Sequence, residues 1–203
     1  WKILDKREFD NFQFVSPEEK TELASMLQEW EGRTFEDLTA SQYSEEELDA
    51  LEIGVMTKGV SKQSTMCMNP DYPEMIKVGY RHYIAECKEK LAALEQEEMT
   101  LEKMNQRYTW EAMIIAMEAI IDFAHRYADL AEKTAAACAD EKRKAELLTM
   151  AHDCRVVPEN PPQTFRQVLQ LVLLTHCAIM IENNGYHHPI GRLDQYLYPF
   201  YKK

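Results

Sequence analysis

Two adjacent histidines near the end of the chain are the residues whose types could most directly do chemistry. His187 and His188 lie in the stretch "IENNGYHHPIGR", where Asn184-Gly185 ends a long apolar run and a proline and a second glycine form a constrained turn. A turn at the end of a buried helix brings a few polar groups into an apolar interior, which suits a small-molecule site. Neighbouring residues point in different directions, so the pair is a poor chelate for one metal ion. The alternative is that one histidine is exposed and the other is a hydrogen-bonded structural residue.

Cys67 is the second candidate, because the stretch "TMCMNPDY" places it in a loop just before a predicted helix. The N-terminus of a helix can lower the pKa of a thiol and so activate it, while a passive loop thiol is the alternative. His176 and Cys177 fall inside an apolar helix, and we interpret them as a buried histidine satisfied by a neighbour and a small core residue. The sequence has no H-x-x-x-H, H-E-x-x-H or C-x-x-C motif and therefore predicts no metal site.

The composition limits the classes of partner. The chain has 203 residues and a formal net charge of -12, which argues against a nucleic-acid partner or an anionic membrane surface. Its five cysteines form no C-x-x-C pair, which is typical of a cytoplasmic protein with reduced thiols. The longest apolar stretch, Leu171 to Ile181, is interrupted by Thr175 and His176 and is too short to span a membrane.

The elements that must position these residues are all predicted to be helices. "SPEEK" and "YSEEE" each have the capping-box pattern of a helix start, and apolar residues recur at helical spacing through most of the chain. No convincing alternation typical of strands is present, so the sequence predicts an all-α fold with one helical domain over residues 1–203. The predicted helices run from Pro17 to about Trp30, from Ser44 to Gly54, from about Tyr72 past Leu94, through "TWEAMIIAMEAIIDFAHRYADLAEKTAAACA", from Asp140 to before Pro158, and from Thr164 to Asn183.

The last of these helices is apolar on nearly every side between Val168 and Ile181. A surface helix has a polar face, so an all-round apolar helix is normally central in a larger protein. We therefore expect the helix over 164–183 to be among the most buried elements. Because the chain also starts at Trp1 and stops at "PFYKK", we expect it to be a fragment or a truncated gene product.

Several segments in order resemble the N-terminal part of the pyruvate formate-lyase-like glycyl radical enzymes. They are "WEGRTFED", "NPDYPEMIKVGY", "AMEAIIDFAHRYADLAEKTA", "ELLTMAHDCRVVPENPPQTFRQVLQ" and "IENNGYHHPIGRLDQYLYPFY". The likeness covers nearly the whole chain and is closer to the dehydratase, decarboxylase and amine-lyase branch than to pyruvate formate-lyase. It implies that this chain is the helical N-terminal part of a larger α/β barrel.

The resemblance also implies a substrate-binding role for five residues: Tyr186, His187, His188, Cys67 and Asn69. Many dehydratase-type members read N-G-H-S where this chain has Tyr186 and His187, and relatives often have Gly-His where it has Met66 and Cys67. Both differences remove groups expected for glycerol-type substrates, so the resemblance implies a different substrate.

The chemistry implied by the resemblance is anaerobic cleavage of a C–O, C–N or C–C bond in a small polar substrate. A glycyl radical, installed by an activating enzyme that uses S-adenosylmethionine and an iron–sulfur cluster, generates a thiyl radical that abstracts hydrogen. We expect the catalytic cysteine loop and the glycyl radical domain to be absent from this chain, which leaves it without a catalytic residue or a bound cofactor. A homo-oligomer is also expected. The alternative is a non-catalytic helical interaction module or a truncated remnant.

Overall fold

The computed structural model describes residues 16–56, 70–183 and 189–202, and these form helices and turns without a strand, which confirms the all-α prediction. They fall into two compact units with the boundary between Thr65 and Met66. The helices of the first unit are α1 (Pro17–Gln28), α2 (Phe35–Ala40) and α3 (Glu45–Glu52). Those of the second are α4 (Tyr72–Val78), α5 (Tyr80–Leu94), α6 (Leu101–Ala137), α7 (Glu141–Val156), α8 (Phe165–Asn183) and α9 (Leu193–Tyr201).

Each helix of the first unit begins with a capping box. At α1, the Ser16 Oγ accepts from the Glu19 backbone N–H at 3.2 Å, and the Glu19 carboxylate accepts from the Ser16 N–H at 2.8 Å. Thr34 and Ser44 start α2 and α3 in the same way. The starts of α1 and α3 were predicted, whereas α2 was missed because an Asp replaces the Glu or Gln of the usual pattern.

The predicted long helix from Tyr72 is wrong in one respect, because it breaks at Gly79 into α4 and α5. Gly79 has φ 71° and ψ 170°, a conformation essentially restricted to glycine. A Cβ on Gly79 would lie 2.6 Å from the Glu159 carbonyl oxygen, so the connector between α7 and α8 passes directly over this residue. The carbonyls of Pro158 and Glu159 accept from the N–H groups of Tyr80 and Arg81, both at 3.0 Å, and so satisfy the first donors of α5.

The 37-residue helix α6 organises the second unit because it packs against helices on two sides. Towards α5, Met117 joins Tyr80, Ile84 and Cys87 in a buried cluster. Towards α7 and α8, small side chains at helical spacing allow close approach of the backbones. This second cluster contains Ala124, Ala128, Ala131, Ala151, Cys154 and Leu174.

A buried carboxylate fixes the junction between α7 and α8. Asp153 is 4% exposed and accepts from the Gln167 side-chain amide at 3.2 Å. The Arg166 Nε lies 3.0 Å from the second carboxylate oxygen. The Gln167 Oε1 in turn accepts from the backbone N–H of Gln163 at 2.8 Å. Thr164 caps α8 as predicted, since its hydroxyl accepts from the Gln167 N–H at 3.2 Å.

Helix α8 is among the most buried of the described helices, as expected, but only one of its sides is covered. Val168 and Leu171 are fully buried, but Leu169 is 42% exposed, Leu173 is 56% exposed and Ile181 is 70% exposed. Cys177 is half-buried. The reason is that α4, α6, α7 and α9 cover one side of α8, and no described helix of the second unit covers the other.

The same helix is long and apolar enough to cross a membrane, which the sequence analysis did not anticipate. The stretch Phe165–Glu182 has the length and the apolar composition of a membrane-spanning helix, and a third of it is buried inside the protein. Core helices of water-soluble proteins can have the same length and composition, and they pack at least one side against neighbouring helices, as α8 does.

Candidate functional site

A cleft of about 410 Å³ lies between the start of α4 and the start of α9. Its volume is in the range of small-molecule sites, roughly 300 to 1,000 Å³. Two stretches of the chain form this cleft: one begins at Pro70, and the other begins at Ile190. The lining residues are Pro70, Asp71, Tyr72, Pro73, Ile190, Gly191, Arg192, Gln195 and Tyr196.

The five residues predicted to bind substrate lie outside the described residues. These are Tyr186, His187, His188, Cys67 and Asn69. Their roles therefore stay predictions. The residues that follow each segment are described, and Pro70 and Ile190 line the same cleft. The structure thus brings together the described neighbours of both sequence segments that were singled out.

Tyr72 lies at the centre of the packing beneath this cleft. It is fully buried, and its ring centroid lies 5.8 Å from that of Tyr196. The Tyr196 hydroxyl donates to the Ile190 carbonyl at 2.7 Å, which ties the turn before α9 to the helix. The Tyr72 hydroxyl, by contrast, is buried without a hydrogen-bond partner among the described residues. Burial raises the pKa of the Tyr72 phenol, with smaller contributions from nearby Tyr196, Tyr80 and Cys177, so it stays a neutral donor at physiological pH.

The rim of the cleft combines a carboxylate, a guanidinium and an amide. Asp71 caps α4 by accepting from the Glu74 N–H at 3.2 Å. Arg192 occupies the N-cap position of α9, where its side chain makes no capping hydrogen bond. Gln195 is exposed one turn further along. These groups can orient a small polar molecule, but they include no histidine or cysteine for proton transfer or nucleophilic attack.

Sequence reasoning missed Tyr72 and Arg192 as site residues. The Asp-Tyr-Pro of "NPDYP" carries a helix-start signal, with Asp71 as N-cap and Pro73 in the first turn. That signal agrees with the predicted helix start at Tyr72, but it does not indicate that Tyr72 lies at a site. Nothing in the local sequence indicates that the start of α9 packs beside it, because that contact joins residues more than 100 positions apart.

The cysteines and histidines of the described residues form no reactive site. Burial raises the pKa of the Cys87 and Cys154 thiols, which keeps both protonated. No group of three or more metal-binding side chains occurs in the described ranges. The expectation that His176 is satisfied by a neighbour is wrong at one atom, since its buried Nδ1 has no hydrogen-bond partner among the described residues.

A second cleft, of about 420 Å³, lies between α5 and α6. Most of its charged groups pair with one another: Arg81 contacts Glu159, and Lys88 lies 2.9 Å from Glu118. The His125 Nε2 lies 3.5 Å from the second oxygen of Glu159. Because both cations of this cleft, Arg81 and Lys88, already have carboxylate partners, it offers an anionic ligand less than the first cleft does.

Comparison with known proteins agrees with the fold. The family described as "Pyruvate formate lyase-like" matches residues 1–203. A (2S)-3-sulfopropanediol dehydratase from Klebsiella oxytoca is 33% identical over 201 residues, which cover 98% of this chain and 24% of that protein. An isethionate sulfite-lyase from Bilophila wadsworthia (strain 3_1_6) is 34% identical over 199 residues, which cover 93% of this chain and 24% of that protein.

A solved structure gives the same result in three dimensions. The glycerol-bound B12-independent glycerol dehydratase from Clostridium butyricum superposes with a TM-score of 0.77 at 33% identity, over 99% of this chain and 25% of that one. The chain thus spans about a quarter of the length of the curated relatives it matches. Since the match covers every residue of the chain, this protein belongs to the pyruvate formate lyase-like family of glycyl radical enzymes.

Proposed function

We propose that this chain is the N-terminal, helical part of an anaerobic, cytoplasmic glycyl radical enzyme that cleaves a bond in a small polar substrate. The observation that carries the proposal is the match of the family to all of residues 1–203. In the proposed whole protein, the chain belongs to a single pyruvate formate-lyase-like domain built around an α/β barrel. A glycyl radical, installed by an activating enzyme that uses S-adenosylmethionine and an iron–sulfur cluster, supplies the hydrogen-abstraction chemistry. The working enzyme is a homo-oligomer.

The role of this chain in that enzyme is to bind and orient substrate. The predicted residues lie in two segments, Cys67 and Asn69 in one and Tyr186, His187 and His188 in the other. Support for a shared site comes from the described residues beside them, because Pro70 and Ile190 line one cleft of about 410 Å³. The radical steps are assigned to other parts of the protein, where the family resemblance puts the catalytic cysteine loop and the glycyl radical.

The bond cleaved is a C–O, C–N or C–C bond by the family resemblance, and the relatives widen this choice. Two of the relatives above have names that specify sulfonates, sulfopropanediol and isethionate, and one of those names is that of a sulfite-lyase. The chain departs from the glycerol-type pattern at Met66, Cys67, Tyr186 and His187. We therefore place a small hydroxylated substrate with an anionic group ahead of glycerol.

The test is reconstitution of the full-length protein with its activating enzyme under anaerobic conditions. The glycyl radical is quantified by electron paramagnetic resonance, and the activated protein is then offered isethionate, sulfopropanediol and glycerol in parallel. Turnover of a sulfonate above glycerol supports the proposal. Absence of a glycyl radical after activation contradicts it and favours a non-catalytic helical interaction module, the alternative that fits the acidic, helical composition.

His187→Ala in the same system tests the site. We expect turnover to fall by a factor of about ten or more, the scale of losing one polar contact to substrate, while the radical signal stays intact. Loss of the radical together with activity would instead indicate a structural role. Unchanged turnover of the identified substrate would remove His187 from the site.

A further inference from the structure

Residues 16–56 carry apolar side chains that their own fold leaves uncovered. None of the residues in this segment is buried. On α1 and the turn after it, Leu23, Leu27 and Trp30 recur at helical spacing and therefore share one face. Nine large apolar side chains are between 41% and 76% exposed: Met26, Leu27, Trp30, Phe35, Leu38, Leu48, Ile53, Val55 and Met56. Single exposed apolar residues are normal, but this density marks an interaction surface.

The same segment carries most of the net charge of the chain. It has 12 Asp and Glu against 2 Lys and Arg, a net charge of -10 out of the total of -12. Hydrogen bonds from Ser16 and Ser44 lower the pKa of Glu19 and Glu47, so both carboxylates are ionised at neutral pH. Two cations cannot neutralise twelve carboxylates, which leaves a strong negative potential around the exposed apolar side chains.

The charge decides between possible occupants of this surface. A second copy would place one segment of charge -10 against another, and like-charge contact costs affinity. Anionic lipid and nucleic acid are disfavoured for the same reason. A basic protein surface that also presents apolar side chains complements both features.

We propose that residues 16–56 form a docking surface for a protein partner whose contact face is basic and apolar. The carboxylates speed the encounter through long-range attraction. The apolar side chains around Trp30 and Phe35 then contribute affinity through burial, as aromatic anchors do at interfaces. This surface shares no residue with the cleft between α4 and α9, so the proposal does not depend on the reaction that the enzyme catalyses.

The experiment uses the full-length protein and a defined probe, an 18-residue helical peptide with Leu on one face and Lys on the other. A charge variant carries Glu29→Gln, Glu31→Gln, Glu45→Gln and Glu46→Gln. A matched control removes four exposed carboxylates of the second unit, at Glu89, Glu95, Glu98 and Glu102, by the same substitution. An apolar variant carries Trp30→Ala and Phe35→Ala. Affinity is measured by calorimetry at low and at physiological salt.

We expect the charge variant and the apolar variant each to bind the peptide about tenfold more weakly, and the matched control to stay within about twofold of wild type. Equal weakening by the two charge variants would show attraction to net charge only and overturn the proposal. An apolar variant that binds like wild type would overturn it as well.

Two further outcomes concern other occupants. Hydroxyl-radical footprinting of the full-length protein measures whether Trp30 and Met26 are accessible without a partner. Protection of both would show that the protein covers this surface itself, which overturns the proposal. Sedimentation at several concentrations tests for a second copy, and a dimer that the apolar variant abolishes would overturn it too. Accessible side chains on a species whose oligomeric state does not change in the apolar variant support it.

Discussion

Substitution of Gly79 by alanine tests the close approach between the α4–α5 junction and the connector before α8. Two costs add at this position. The backbone conformation of φ 71° and ψ 170° costs a non-glycine residue about 1–3 kcal/mol. The new Cβ would also lie 2.6 Å from the Glu159 carbonyl oxygen and 2.7 Å from the Asn160 carbonyl carbon. Both atoms are backbone and cannot rotate away, and overpacking of this kind costs about 1–3 kcal/mol.

Together these costs predict that Gly79→Ala lowers the free energy of unfolding by about 2–6 kcal/mol, a large part of the roughly 5–15 kcal/mol that a domain has. Gly54→Ala is the matched control, because Gly54 also has positive φ, 77°, but a Cβ there meets nothing within 4 Å. The assay is urea unfolding followed by Trp110 fluorescence, with Trp1 and Trp30 replaced by phenylalanine. Trp110 packs in the cluster between α5 and α6 and so reports on the second unit.

The result that refutes this reasoning is a Gly79→Ala protein with a urea midpoint equal to that of wild type. The Gly54→Ala control should leave the Trp110 transition unchanged, because Gly54 lies in the other unit. If both substitutions shift that transition equally, the shift is not specific to Gly79, and its contact with the connector is not the cause.

Three other predictions concern buried polar groups. Tyr72→Phe should leave the free energy of unfolding unchanged or raise it, since the hydroxyl it removes has no described partner; a loss above about 1 kcal/mol in urea unfolding would reveal a partner. Asp153→Ala should lower the free energy of unfolding, measured in urea, by about 2–3 kcal/mol, because the buried Gln167 amide loses its acceptor while half-exposed Arg166 is rehydrated. Glu141→Ala, at an exposed site, serves as the control. Burial raises the pKa of Tyr80 from its ordinary 10.0 to about 12. Its neutral form therefore stabilises the fold fully below pH 10, and this contribution of about 2–3 kcal/mol is lost as pH rises from 10 to 12. Tyr80→Phe should weaken the pH dependence of the melting temperature between pH 10 and pH 12. The same pH dependence in Tyr80→Phe and wild type would contradict the assignment to Tyr80.

Local signals in the sequence were sufficient to predict most helices. Ser16, Ser44, Asp140 and Thr164 all begin helices as predicted, because a cap is a contact between residues two or three positions apart. The break at Gly79 was missed since the residues that require it, Glu159 and Asn160, are distant in sequence. A lone glycine inside an apolar periodicity resembles a tolerated helix interior until its neighbours in space are known.

The site was predicted less completely than the fold. Residue types and the family resemblance pointed to two segments, and the structure brings Pro70 and Ile190, beside those segments, to one cleft. Tyr72 could not be recognised, because its burial depends on Tyr196 and on the buried cluster formed with α8. The exposed side of α8, which carries Leu169 and Leu173, was not foreseen for a related reason. An apolar pattern shows which faces of a helix can be buried. The number and position of the neighbouring helices decide which of those faces are buried in the fold.

The hydrogen bonds from Tyr80 and Arg81 to the carbonyls of Pro158 and Glu159 have a consequence for synthesis on the ribosome. Donor and acceptor are 78 positions apart in the chain. At roughly 5–20 residues per second, the start of α5 leaves the ribosome about 4–16 s before its acceptors do. Until then its first N–H groups are satisfied only by water, and Gly79 has no connector to pack against. Slow translation of α6 and α7 would lengthen this interval, so the efficiency with which the newly made chain folds should depend on codon choice between residues 80 and 160.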